Sequence, residues 1–208
     1  MFTYPEQYKF TEKWFDPMIP NWNELFNYYL KESTVKNVLE VGCYEGRATV
    51  YLLLQHLDKD VTYEVVDTFG GTLEESGMTG TVSRLSESDF IYENFMHNMS
   101  QHTDIDLKVH REYSQLKLPQ LYQEGNKYDF IYIDASHRAD DTFVDAYYAH
   151  KMLNPGGLLI FDDFGWKDPA QPHPVHSPEL GVRSFFTMYS EDYRLVLNGY
   201  QIGAIKNK

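Results

Sequence analysis

The stretch Val38-Leu39-Glu40-Val41-Gly42-Cys43-Tyr44-Glu45-Gly46, running on into Arg47-Ala48-Thr49-Val50, decides the fold. Val38 to Val41 reads as a short buried strand, and Arg47 onward reads as a helix. The link between them is a glycine turn at the carboxyl end of the strand. Open α/β sheets bind ligands there, because a crevice opens and helix N-termini offer free N–H groups. Gly42 lets the backbone turn and a ligand approach. Gly46 lets helix and strand pack with no Cβ between them. The spacing is G-x-x-x-G, not the G-x-G-x-x-G of dinucleotide binders. Taken alone it fits either a nucleoside-type cofactor site or a plain tight turn.

Alternating β and α patterns extend on both sides of this turn. An irregular aromatic arm with Pro5, Pro17 and Pro20 precedes a helix over Trp22 to Lys31, with Asn21 as its cap. Strands follow at Asn37 to Val41, Val61 to Val66, Ile105 to Val109, Tyr128 to Ile133 and Leu158 to Phe161. Helices are expected from Arg47 to about Leu57 (with Val50, Leu53, Leu54 and Leu57 on one face), over Phe90 to Met99, and over Ala139 to Leu153. Asn154-Pro155-Gly156-Gly157 stops the last of these. Tyr193 to Leu197, Asn198-Gly199 and Tyr200 to Ile205 spell a terminal hairpin. Two long connections, Thr68 to Ser88 and Trp166 to Pro178, are candidate lids. Residues 1–34 form an arm and helix packed on a domain spanning 35–208.

The 208 residues are 42% hydrophobic and 24% charged, an ordinary balance for one globular domain. No apolar stretch has the length of a membrane span, and no leader pattern opens the chain, so a cytoplasmic location is expected. A net charge of −13 disfavours nucleic acid and anionic membranes as partners. The one cysteine, Cys43, excludes an intramolecular disulfide and reads as buried filler rather than a nucleophile. Aromatics reach 16%, many of them before residue 30, which suits a pocket wall, a homodimer contact or plain packing.

Acids close four strands: Glu40, Asp67, Asp134 and the pair Asp162-Asp163. In a parallel sheet these ends share one edge and converge on one crevice. A carboxylate at Asp67 suits the two hydroxyls of a ribose. With these pieces in order, the chain resembles the class I S-adenosylmethionine-dependent methyltransferases. The resemblance rests on Glu40 to Gly46, Val66-Asp67, Tyr128 to Asp134, Leu153 to Gly157 and the hairpin. It implies a Rossmann-like α/β three-layer sandwich whose seven-stranded sheet runs 3-2-1-4-5-7-6 with the last strand antiparallel. It also implies S-adenosylmethionine as cofactor, with contacts at Glu40, Gly42, Tyr44, Gly46, Asp67, Thr68, Tyr113, Ser114 and Asp134.

Ile133-Asp134-Ala135-Ser136-His137 with Phe161-Asp162-Asp163 is similar to the metal-dependent O-methyltransferases, closest to the macrocin type and more distantly to catechol O-methyltransferase. That likeness implies Mg2+ (or Mn2+) on Asp134, Asp162 and Asp163, His137 as general base, and a small hydroxylated substrate. The donor chemistry agrees, since Mg2+ takes hard oxygen ligands and an imidazole takes protons near neutrality. The alternatives are a metal-independent methyltransferase, a nicotinamide-dependent oxidoreductase, and a noncatalytic protein that kept the fold. His173 and His176 read as members of a proline-stiffened loop rather than a zinc pair.

Overall fold

A computed structural model describes residues 2–71 and 89–207. Seven strands form one sheet: β1 (Asn37–Val41), β2 (Thr62–Asp67), β3 (Asp106–Arg111), β4 (Tyr128–Ile133), β5 (Leu153–Phe161), β6 (Tyr193–Asn198) and β7 (Ile202–Lys206). Their order is β3-β2-β1-β4-β5-β7-β6. The first five run parallel, and β7 enters antiparallel to β5 and β6. The implied topology is therefore the observed one. Of the candidate lid Thr68 to Ser88, residues 72–88 lie outside the described residues.

Strand alternation builds two cores. Val38, Val65, Phe130, Tyr132 and Ile160 point to one face, with Trp22, Val50 and Phe95. Leu39, Val66, Ile131, Ile133 and Phe161 point to the other, with Leu118, Ala146 and Phe185. Helices α1 (Ile19–Tyr29), α2 (Arg47–Gln55) and α3 (Phe90–Met99) cover the first face. Helices α4 (Ser114–Gln123), α5 (Ala139–Met152) and α6 (Pro178–Tyr189) cover the second.

Several local expectations need correction. Helix α1 begins three residues early, with Pro20 in its first turn and Asn21 already helical, because proline's fixed φ suits the first helical position. Helix α2 buries Ala48 to Leu52 and leaves Leu54 at its exposed edge, since the arm and α1 cover a second side of it. Helices α4 and α6 carry no sequence signal strong enough to announce them. Pro119 lies inside α4, and Pro178 starts α6 within a run that reads as loop. Strand β5 begins at Leu153, so Asn154 to Gly157 enter the sheet through a register shift instead of separating helix from strand.

Asp145, on the buried face of α5, has no exposed surface. Among the described residues neither carboxyl oxygen meets a donor in hydrogen-bonding geometry, and the nearby Ser114 hydroxyl compensates only in part. Burial pushes its pKa up to about 7. An acid raised in the folded state keeps its proton there while the unfolded chain releases it. Stability therefore falls as pH climbs from about 4 to about 7, then levels off. The upper bound of this loss is ~4 kcal/mol. Asp145→Asn is expected to gain about 2 kcal/mol at pH 8, after the cost of a buried amide, and nothing at pH 4. Urea denaturation of both proteins across that range checks it; parallel curves would contradict it.

Candidate active site

The parallel ladders run one step past each strand. Gly42 N donates to Val66 O at 2.9 Å, Asp134 N to Val41 O at 2.7 Å, and Asp162 N to Ile133 O at 2.9 Å. Gly42, Asp134 and Asp162 thus stand side by side at the carboxyl edge of the sheet.

At the first of these ends, Gly42 (φ 84°), Tyr44 (φ 50°) and Gly46 (φ 77°) are all left-handed. The N–H groups of Cys43 and Tyr44 point at Asp67 and donate to its Oδ2 at 2.6 and 2.8 Å. Phe69 N donates to Oδ1 at 2.6 Å. Asp67 therefore ties β2 to the glycine turn, and a ribose would share its remaining lone pairs. Glu40 sits below the crevice. It is 1% exposed, and its Oε2 accepts from Thr49 Oγ1 at 2.6 Å and Tyr63 Oη at 2.7 Å. Burial raises its pKa to about 7. Thr49 and Tyr63 thus hold the Glu40 carboxyl group beneath the turn. Thr68 Oγ1 accepts from Gly70 N, Tyr113 is 63% exposed beside β3, and Ser114 is buried at the start of α4. Cys43 is buried, and desolvation lifts its thiol well above the usual range, as befits filler.

The other acids form one connected cluster. The Tyr132 hydroxyl donates to Asp134 Oδ2 at 3.0 Å and makes a short hydrogen bond to Asp162 Oδ2. Gln201 Nε2 donates to the same Asp162 oxygen at 2.9 Å, and Asp163 N to the other at 2.7 Å. Asp163, itself left-handed at φ 54°, accepts from Tyr200 Oη at 2.7 Å and pairs with His137 Nε2 at 2.8 Å. Trp166 packs on the His137 ring at 4.2 Å. Asp134, Ser136, His137, Thr142, Asp162 and Asp163 line one small cavity.

Desolvation and repulsion from Asp162 and Asp163 hold Asp134 well above the carboxylate range, and burial with the Asp163 charge pushes Asp162 up to about 6. Three hard-oxygen donors that repel one another fit a divalent cation by their chemistry. As the side chains stand, protein donors hold them, and among the described residues no three acid, histidine or cysteine side chains converge as a ligand set. His173 and His176 do not form one either: His173 Nδ1 accepts from Val175 N and serves as a local cap.

The profile of a methyltransferase domain family matches residues 39–164, which hold the glycine turn, all the strand-end acids and His137. The chain belongs to this methyltransferase family. A curated relative, the probable caffeoyl-CoA O-methyltransferase 3 of Dictyostelium discoideum, is 26% identical over 181 residues, covering 81% of this chain. The chain spans only 61% of that relative's length. Among solved structures, the O-methyltransferase NovP superposes with a TM-score of 0.67 at 15% identity, covering 91% of this chain and 79% of NovP. The O-methyltransferase TomG from Streptomyces achromogenes gives 0.60 at 17%, covering 91% and 80%. At such identities the structures speak for the fold.

In this methyltransferase, sequence reading missed the residues that hold the acids in place. Trp22 Nε1 donates to Gln201 Oε1 at 2.7 Å, so α1 reaches Asp162 through Gln201. Tyr132 carried a legible signal, being a polar tip in an apolar strand two residues before Asp134. Gln201 and Tyr200 carried none, because the hairpin brings them to the acids only through the antiparallel pairing of β7.

Proposed function

We propose that the chain is an S-adenosylmethionine-dependent O-methyltransferase acting on a small hydroxylated molecule such as a sugar, polyol, phenol or natural product. The observation that carries this reading is the His137–Asp163 pair, opening on the same cavity as Asp134 and Asp162 at the sheet edge. His137 is the base. Asp163 orients the ring through Nε2 and stabilises the imidazolium, and the acceptor's proton is taken at the other ring nitrogen, Nδ1. S-adenosylmethionine, when bound, would supply a sulfonium methyl group to the acceptor oxygen, the carbon–sulfur bond breaking to leave a neutral thioether. Asp67 and the Gly42–Gly46 turn would hold the cofactor. Asp134, Asp162 and Asp163 would hold Mg2+ or Mn2+, which when bound supplies the charge that lowers a hydroxyl's pKa.

A second reading, a metal-independent methyltransferase, is favoured by the protein donors already on Asp162 and Asp163. Calorimetry separates the two. Magnesium titrated into protein saturated with S-adenosylhomocysteine is expected to bind saturably, and Asp162→Ala to lose that step while keeping S-adenosylhomocysteine. No metal step in the wild type, with turnover unchanged in excess chelator, would leave the metal-independent reading. No binding of S-adenosylhomocysteine at all would remove both.

A further inference from the structure

The N-terminal arm ends up hydrogen-bonded to the glycine turn, and a single side chain makes most of the connection. Glu45 sits inside the turn, between left-handed Tyr44 and left-handed Gly46, and is 1% exposed. Its Oε2 accepts from Thr11 N at 2.6 Å. Its Oε1 accepts from Thr11 Oγ1 at 3.1 Å and from Asn94 Nδ2 at 2.7 Å. Its backbone carbonyl accepts from Asn98 Nδ2 at 2.9 Å.

Fully buried Asn98 grips the arm as well. Its Oδ1 accepts from Lys9 N at 2.7 Å, and its Nδ2 donates to Lys9 O at 2.8 Å. A few residues along the arm, the Trp14 ring packs 5.2 Å from the Tyr44 ring while remaining 52% exposed. Arm, turn and α3 therefore meet at one residue.

A left-handed non-glycine residue costs of order 1–3 kcal/mol and persists only where its surroundings over-determine it. Tyr44 has such surroundings. Asp67 fixes its N–H from below, Trp14 lies against its ring, and the next residue is clamped at both side chain and carbonyl. None of these contacts serves the acid cluster. All of them bear on the shape of the turn that receives the cofactor.

We infer that Glu45 is a positioning residue, and that it couples docking of the N-terminal arm to cofactor binding at the Gly42–Gly46 turn. The inference rests on that turn being the cofactor site. Coupling is reciprocal, so a bound cofactor must tighten the arm as much as the docked arm tightens the cofactor.

The test uses the full chain and S-adenosylhomocysteine as the probe. Amide hydrogen exchange is followed at Lys9 and Thr11, whose N–H groups donate to Asn98 and Glu45. Saturating S-adenosylhomocysteine is expected to slow exchange at both. Glu45→Gln, which turns an amide toward the Thr11 and Asn94 donors, is expected to weaken the affinity about 10-fold, within the usual range of coupled sites. Should that variant not fold, Thr11→Pro removes both the N–H and the hydroxyl from the exposed arm side, and the same loss is expected. A clamp of purely structural value lowers the melting temperature without making arm protection depend on ligand. Arm exchange indifferent to S-adenosylhomocysteine, with folded variants binding within twofold of wild type, would overturn the inference. A wild type that binds no S-adenosylhomocysteine defeats the cofactor reading itself, and is told apart by needing no variant.

Discussion

His137→Ala is expected to lower kcat by about 10^2–10^4-fold, the usual worth of a positioned base, while S-adenosylhomocysteine affinity stays within twofold. The split follows from geometry. The imidazole belongs to the acid cavity and bonds Asp163, whereas the residues of the glycine turn that would hold the cofactor bond Asp67, Thr11 and Asn98. Removing the ring therefore takes away proton transfer and leaves the turn intact. His137→Gln sharpens the test. Its amide still donates to Asp163 and so preserves orientation, but it takes no proton. Single-turnover methyl transfer to a screened vicinal-hydroxyl acceptor is the measurement. If the glutamine variant keeps a rate within fivefold of wild type, the base lies elsewhere and His137 only orients Asp163.

Gly42→Ala is expected to cost about 3–6 kcal/mol and to abolish binding of S-adenosylhomocysteine. A Cβ at Gly42 would lie 2.0 Å from the Asp134 carbonyl oxygen and 2.7 Å from Ala135 Cα. These are backbone atoms at the end of β4, so relief requires β1 and β4 to part where the crevice begins. The residue is also left-handed at φ +84°, which adds about 1 kcal/mol for any L side chain. Gly125 supplies the control. It has nearly the same φ, +82°, with nothing within 4 Å of the added atom. Gly125→Ala is expected to cost only about 1 kcal/mol. Urea unfolding of the two variants separates steric cost from conformational cost; equal losses would show that the contact with Asp134 relaxes freely. Since whole domains hold only 5–15 kcal/mol, roughly, the Gly42 variant stands near the limit of folding.

The same glycine shows how far the chain could be read by eye. That Gly42 starts a turn at the carboxyl end of β1 was legible, because a buried apolar run followed by glycine reads as a strand ending in a turn. That a Cβ there would strike the Asp134 carbonyl was not, since β1 and β4 are neighbours only through the sheet order. Strand-end acids were legible for a similar reason: an acid ending an apolar run in a parallel sheet must stand at the carboxyl edge. Asp134, Asp162 and Asp163 do meet there. Glu40 shows where that rule fails, because its carboxylate turns down into the first core to satisfy Thr49 and Tyr63. Which side of the backbone an acid leaves from decides between crevice and core, and the period-2 pattern of a short run ending in a turn does not say.

By itself the sequence determined the alternation of strands and helices, the terminal hairpin and the edge at which the acids gather, because these follow from local periodicity, turn chemistry and the geometry of parallel sheets; the seven-stranded order rests on the family resemblance, and helices α4 and α6 stayed unread. Only the tertiary structure decided which partners those acids have. Tyr132 reaches them from β4, Tyr200 and Gln201 from the hairpin turn, Trp22 of α1 holds Gln201, and Thr11 reaches Glu45 across 34 positions of chain. The reason is physical. A hydrogen bond needs placement within a few tenths of an ångström, and placement at that scale is set by how two cores pack on one sheet, a property of all the side chains together.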